Sequence, residues 1–190
     1  MEGVPYDVRR IAPLTTSSNM THHEAEVRWQ RRAGEPFLDR RYSRAHAWHF
    51  DGGATIPASS SPQNVPLPWS RAEHVDPEEA LVAAVASCHM LAFLFLAARR
   101  GLLVERYVDA ATGEMGADEH GRSAIVRVTL RPAVTLSGTV EPDDATVAAL
   151  HDAAHGECII ASSIRAAVVI DGSWTHVRDD AARAVGGAPA

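Results

Sequence analysis

The sequence predicts an α+β domain, and three observations carry that prediction: two separate stretches with helical periodicity, strand-like alternation in pairs, and turns too short for crossovers. The expected order is three short strands, a long helix, two strands, a second helix and one or two closing strands. Short turns between strands point to antiparallel neighbours. At 190 residues, 46% hydrophobic and 22% charged, the chain has the composition of one globular domain with its own core. Residues 1–20 follow neither period and read as a loose extension, 21–178 as the domain, and 179–190 as a polar, Gly/Ala-rich tail.

Residues 24–30 alternate, and residues 39–50 (DRRYSRAHAWHF) alternate more clearly. Tyr42, Arg44, His46, Trp48 and Phe50 would then share one strand face, aiming Arg44 the same way as three aromatics. Asp51-Gly52-Gly53 is a turn signal, with residues 54–58 returning as a partner strand. Residues 59–70 (SSSPQNVPLPWS) read as loop, because proline donates to no ladder.

The first helix has strong punctuation. Asp76 is an N-cap, Pro77 suits the first helical position, and Glu79 stands where a capping box needs it. Arg99-Arg100-Gly101 ends it, with positive charge at the negative end of the dipole and a glycine for the cap. Between them, residues 80–98 (ALVAAVASCHMLAFLFLAA) carry no formal charge and approach the length of a bilayer span. The alanine content and the Ser87-Cys88-His89 centre favour a buried central helix instead. Residues 102–115 and 125–136 read as two antiparallel strands around a polar turn, and a second helix runs from about residue 142 to 157. Strands at 166–170 and 173–177 follow, separated by the turn Asp171-Gly172.

A formal charge of −6, with no basic cluster longer than a pair, argues against nucleic acid or an anionic membrane as partner. Two cysteines and no apolar leader at the N-terminus suggest a cytoplasmic protein, where such a pair serves as buried thiols, a metal site or redox chemistry. Cys88 follows Leu81 at two helical turns and is expected to face the core beside Ala84, Val85, Leu91 and Phe95. Cys158 continues the apolar line of Val147, Leu150 and Ala154. Only a thiolate attacks a peroxide, so Cys88 needs a cationic partner, for which Arg44 is the candidate. The same arginine, if it reaches past the aromatics to solvent, has no such role. His151, His155 and Cys158 stand at helical spacing for zinc, but a fourth ligand is missing and His151 suits solvent equally well, so no metal is expected.

Residues 75–94 (VDPEEALVAAVASCHMLAFL) resemble the central-helix signature of the OsmC/Ohr peroxiredoxins, and residues 154–164 (AHGECIIASSI) resemble their second-cysteine segment. Residues 37–53 are similar to the N-terminal strands of the OsmC-like branch. The resemblance implies curved antiparallel sheets around two long central helices in an intertwined homodimer. It further implies a peroxidatic Cys88, a resolving Cys158, an arginine matched by Arg44, and a glutamate ten residues before the first cysteine, matched by Glu78. Cys-Ile-Ile after the second thiol departs from the Cys-Pro of many organic-hydroperoxide resistance proteins and places the chain in the broader OsmC-like set.

The implied activity is reduction of an organic hydroperoxide, regenerated by a dithiol such as a lipoyl group or a small thiol, without bound cofactor. Trp48, Trp69 and Phe93 are the expected walls of an apolar substrate pocket. A redox sensor and a ligand-binding dimer would use the same thiols without turnover.

Overall fold

A computed structural model describes residues 21–178; the expected extension and tail lie outside the described residues. Strands β1 (Ala25–Arg28), β2 (His46–Phe50) and β3 (Thr55–Ala58) form one antiparallel sheet, with Trp48 opposite Val27 on one side and Ile56 on the other. Helix α1 (Pro77–Arg99) begins as its residues dictate. The Asp76 carboxylate accepts from Glu79 N–H at 2.8 Å, and the Glu79 carboxylate accepts from Asp76 N–H at 3.1 Å. Arg100 caps the other end, and Gly101, at φ +73°, takes the left-handed turn that follows.

The strand region differs from expectation in an informative way. The predicted strand over 102–115 is two strands, β4 (Leu103–Asp109) and β5 (Thr112–Ala117), and that over 125–136 is also two, β6 (Ser123–Leu130) and β7 (Pro132–Gly138). β5 pairs with β6 in one sheet and β4 with β7 in another, so a single long hairpin bends between them. At the bend the Arg131 N–H donates to the Asp109 carboxylate at 2.7 Å instead of to a ladder, and Pro132 has no N–H to offer.

Helix α2 (Asp144–Glu157) and the short α3 (Ile159–Ser162) follow, then β8 (Ala167–Ile170) and β9 (Ser173–Arg178). β8 runs parallel to β6, and β9 parallel to β7, which corrects the expectation of antiparallel neighbours throughout. The reason is the helical crossover, which returns the chain to the end of the sheet where β6 began. With its third ribbon bent at Asp171-Gly172, the sheet curves around α1 and α2.

Two apolar clusters fill this curve. Phe93, Leu96 and Ala97 of α1 meet Val134 and Leu136 of β7 and Val147, Leu150 and Ala154 of α2. Val85 of α1 meets Val128 and Leu130 of β6, flanked by Ile160 and Ile164. Gly113 lets α1 approach β5 closely, since a Cβ there would stand 2.7 Å from a Val82 methyl. α1 is long and apolar enough to cross a bilayer, yet here Val85, His89, Phe93, Leu96 and Ala97 are buried within the domain while Leu91 and Phe95 remain exposed.

Candidate active site: a dithiol between the two long helices

The buried line of α1 steps through Val85, His89, Phe93 and Leu96, so the expectation that Cys88 points into the core beside Ala84, Leu91 and Phe95 is off by part of a turn. A helix apolar nearly all round leaves its phase undetermined by the sequence. Cys88 is half-buried on the flank that faces α2 and α3, and it meets Cys158 there. Cys158 is both the C-cap of α2 and the N-cap of α3, 1% exposed, with its sulfur 3.5 Å from the Ala161 N–H that donates to it. Burial pushes the Cys158 thiol up; the Ala161 N–H works against this, and the side-chain bond from Cys88 adds to it. Neither cysteine is in a disulfide in this structure, and the Cys88 side chain lies close enough to Cys158 to raise its pKa.

The arginine expected to serve this pair is elsewhere in the chain. β2 begins at His46, and Arg44 precedes it in an irregular stretch, not on a strand face. There the backbone N–H groups find other partners: Ser43 donates to the Glu35 carboxylate at 2.7 Å, and Arg44 to the Trp69 carbonyl at 2.7 Å. The Arg44 guanidinium donates to the carbonyls of Arg40 and Tyr42 and lies 3.7 Å from the Tyr42 ring centroid. Neither Cys88 nor Glu78 is among its partners.

Glu78 stands in the first turn of α1, about 15 Å along the axis from Cys88 at the usual helical rise. Its Oε1 accepts from Asn64 Nδ2 at 2.9 Å, while its Oε2 is buried with no hydrogen-bond partner among the described residues. It lines a cleft of about 690 Å³ with Asn64, His74, Val82, Ala86 and Asp109. Asp109 also has a buried oxygen without a hydrogen-bond partner among the described residues, and burial pushes its carboxyl up against the opposing Arg131 contacts. The cleft thus offers two carboxylate oxygens to a cationic donor.

Of the expected pocket walls, Phe93 is corrected. It is fully buried, packed against Tyr107 and His151, and cannot face an open pocket. Trp48 is half-buried on β2, donating to His46 Nε2 at 2.9 Å, and Trp69 is half-buried in the loop that holds Arg44. His151, read as equally suited to solvent, is 8% exposed and bonded to His89, itself 1% exposed. The signal for that pair is the single imidazole within the apolar run of α1. Among the described residues no three His, Cys, Asp or Glu side chains gather as metal ligands would.

Fold and site together define an α+β protein in which separate helices bring two cysteines near each other. A family model described as OsmC-like protein matches residues 70–172. An OsmC-like protein of unknown function from Vibrio cholerae is 47% identical, with a TM-score of 0.79 over 81% of this chain and 100% of that one. The chain belongs to the OsmC-like family. Two more distant structures share the fold: an organic hydroperoxide resistance protein from Legionella pneumophila (15% identity, TM-score 0.53, 82% of this chain and 98% of that one) and OhrB of Bacillus subtilis, likewise described (16%, 0.54, 82% and 98%). No curated protein matches the chain.

Proposed function

We propose that this protein is a cytoplasmic thiol peroxidase that reduces organic hydroperoxides, with Cys88 as nucleophile and Cys158 as resolving thiol. The observation that carries this reading is the proximity of the two unbridged thiols. The Cys88 thiolate attacks the distal oxygen of ROOH, the O–O bond breaks, and RO⁻ leaves to be protonated as the alcohol. Cys158 then condenses with the Cys88 sulfenic acid, forming the disulfide and releasing water. A dithiol, lipoyl or small, reduces the disulfide by exchange and becomes oxidised itself. The steps need no bound cofactor and no metal.

Arg44 and Glu78 enter through a second copy of the chain. The 15 Å scale of the α1 rise separates Glu78 from Cys88 in its own subunit, whereas a twofold-related helix running the opposite way would set Glu78 of one subunit beside Cys88 of the other. Three features support such a homodimer: the exposed Leu91 and Phe95 on α1, the exposed Val27, Trp29, Phe37 and Leu38 around the first sheet, and the partnerless Glu78 oxygen. In the assembled site Arg44 would leave the Tyr42 ring, bridge Glu78 and Cys88, and favour the thiolate. Trp48 and Trp69, on the segments next to Arg44, would supply apolar surface for the R group.

The deciding experiment is steady-state consumption of cumene hydroperoxide and of hydrogen peroxide, with dihydrolipoamide as reductant. Turnover of the organic peroxide that disappears in Cys88→Ser is the expected result; absence of turnover in the wild type overturns the reading.

A further inference from the structure

Next to Cys88 in sequence, and two turns before Cys158, α1 and α2 are tied by a polar contact inside an apolar interface. His89 Nε2 and His151 Nδ1 are 3.1 Å apart, and the two rings lie nearly parallel, 6° between planes with centroids 5.4 Å apart. Phe93 packs against His151 from below, and Val147, Leu150 and Ala154 continue the interface on α2. The remaining His89 nitrogen, Nδ1, is buried without a hydrogen-bond partner among the described residues.

That orphan nitrogen assigns the protons. A buried N–H without an acceptor is the rarer arrangement, so His89 carries its proton on Nε2 and donates to His151 Nδ1, leaving Nδ1 as a bare acceptor. His151 is then protonated on Nε2, which faces a shallow cleft beside Gly172. Burial first, then His151 and His155, push His89 down to about 4, so the bond joins neutral rings throughout the neutral range.

Two apolar side chains of similar shape would fill this space at little cost in stability. What they would lack is direction. Apolar packing between helices lets one slide or rotate against the other by fractions of an ångström, whereas a hydrogen bond loses strength steeply with such motion. The thiols need that control, because a disulfide closes only within a narrow range of separation and orientation.

We infer that the His89–His151 hydrogen bond is a positioning device that sets the register of α1 against α2 and thereby the ease with which Cys88 and Cys158 join. Neither histidine touches the peroxide, and both act through the thiols. The inference rests on the part of the proposed function in which the two thiols close a disulfide, and it does not require peroxide turnover.

The test is the equilibrium of the full-length protein with glutathione: two protein thiols and one glutathione disulfide give the protein disulfide and two glutathiones. Wild type is compared with His89→Leu and His151→Leu, and with amides of two lengths. Gln at 89 places its amide nitrogen where Nε2 stands, and Asn at 151 places its carbonyl oxygen where Nδ1 stands. His89→Asn and His151→Gln misplace those atoms by about a bond length while keeping the polarity.

The leucine and mismatched variants should lower the equilibrium constant about tenfold, raising the potential of the couple by ~30 mV, while His89→Gln and His151→Asn stay near wild type. Equal constants for matched and mismatched amides overturn the inference, as do folded leucine variants indistinguishable from wild type. If the leucine variants do not fold, the matched and mismatched amides decide by themselves. A wild type that equilibrates with glutathione but consumes no peroxide removes the peroxidase reading and leaves this inference standing. Unchanged constants in an active enzyme remove the inference alone.

Discussion

Cys158 is held within the core, 1% exposed, at a junction between two helices, whereas Arg44 stands in an irregular stretch and bonds carbonyls only two and four residues away. The first sheet is joined to the segment before α1 at the end of β3, where Ala58 pairs with Val75, Val75 N–H donates to the Pro57 carbonyl and Ser59 bonds Val75 and Arg71, while the Arg44 stretch is joined through the Trp69 carbonyl. The thiol end is therefore positioned by burial that a single chain supplies in full. The Arg44 guanidinium is held by local bonds that a neighbouring surface can displace. Under the proposed function, this arrangement presets the thiol pair and leaves the cation that would activate it movable.

The sharpest way to break the comparison is to damage each region and weigh the results. Phe93→Ala, which empties a fully buried site between α1, Tyr107 and His151, should cost ~3–5 kcal/mol in urea unfolding. Phe37→Ala, half-exposed in the first region where it packs on Trp29 and Tyr42, should lower the same midpoint by clearly less. Comparable losses would mean that the first sheet is integral to the monomer core.

Acid probes the thiol region more gently. His89 has its value depressed in the folded protein, from 6.5 to about 4, so the unfolded chain takes the proton first. The stability it contributes is complete above pH 6.5 and is lost as pH falls toward 4, to a total of ~3 kcal/mol at the conversion of one pKa unit per 1.36 kcal/mol. Asp109, pushed up by burial, opposes this trend. The effect is isolated by subtracting the pH dependence of His89→Gln from that of the wild type, and a flat difference between pH 7 and 4 would contradict it.

On the arginine side, Arg44→Ala should reduce peroxide turnover about tenfold or more, the scale of one charge-assisted contact of ~1.4 kcal/mol, while leaving the unfolding midpoint near wild type. Arg44→Lys should restore little, because the planar guanidinium is what bridges two anions. The smallest effect is expected at Asp76→Ala, which removes one capping bond from α1 and should cost ~1 kcal/mol of stability. That loss should appear with no change in peroxide turnover.

The helix punctuation was legible because caps are local chemistry: Asp76, Pro77, Glu79 and Gly101 act within a few residues of where they stand. The two cysteines were legible as well, since a thiol in the middle of the first helical segment and one at the end of the second are visible features of a chain with only two. Arg44 was read onto a strand because alternation of Tyr42, Arg44 and His46 looks the same in a strand and in a loop. What separated them was the Trp69 carbonyl and the Glu35 carboxylate, partners distant in sequence that took the N–H groups a ladder would have used.

Alone, then, the sequence determined the α+β class, the ends of α1 and the placing of one cysteine on each long helical segment, because each depends on short-range periodicity or composition. Tertiary structure decided the bend that divides one hairpin between two sheets, the parallel third ribbon, the phase of α1 and the union of His89 with His151. Those features depend on which distant groups remain to satisfy a buried polar atom or cover an apolar face. In α1, an all-apolar helix, only the shape of the surrounding sheet and of α2 could select the side turned inward.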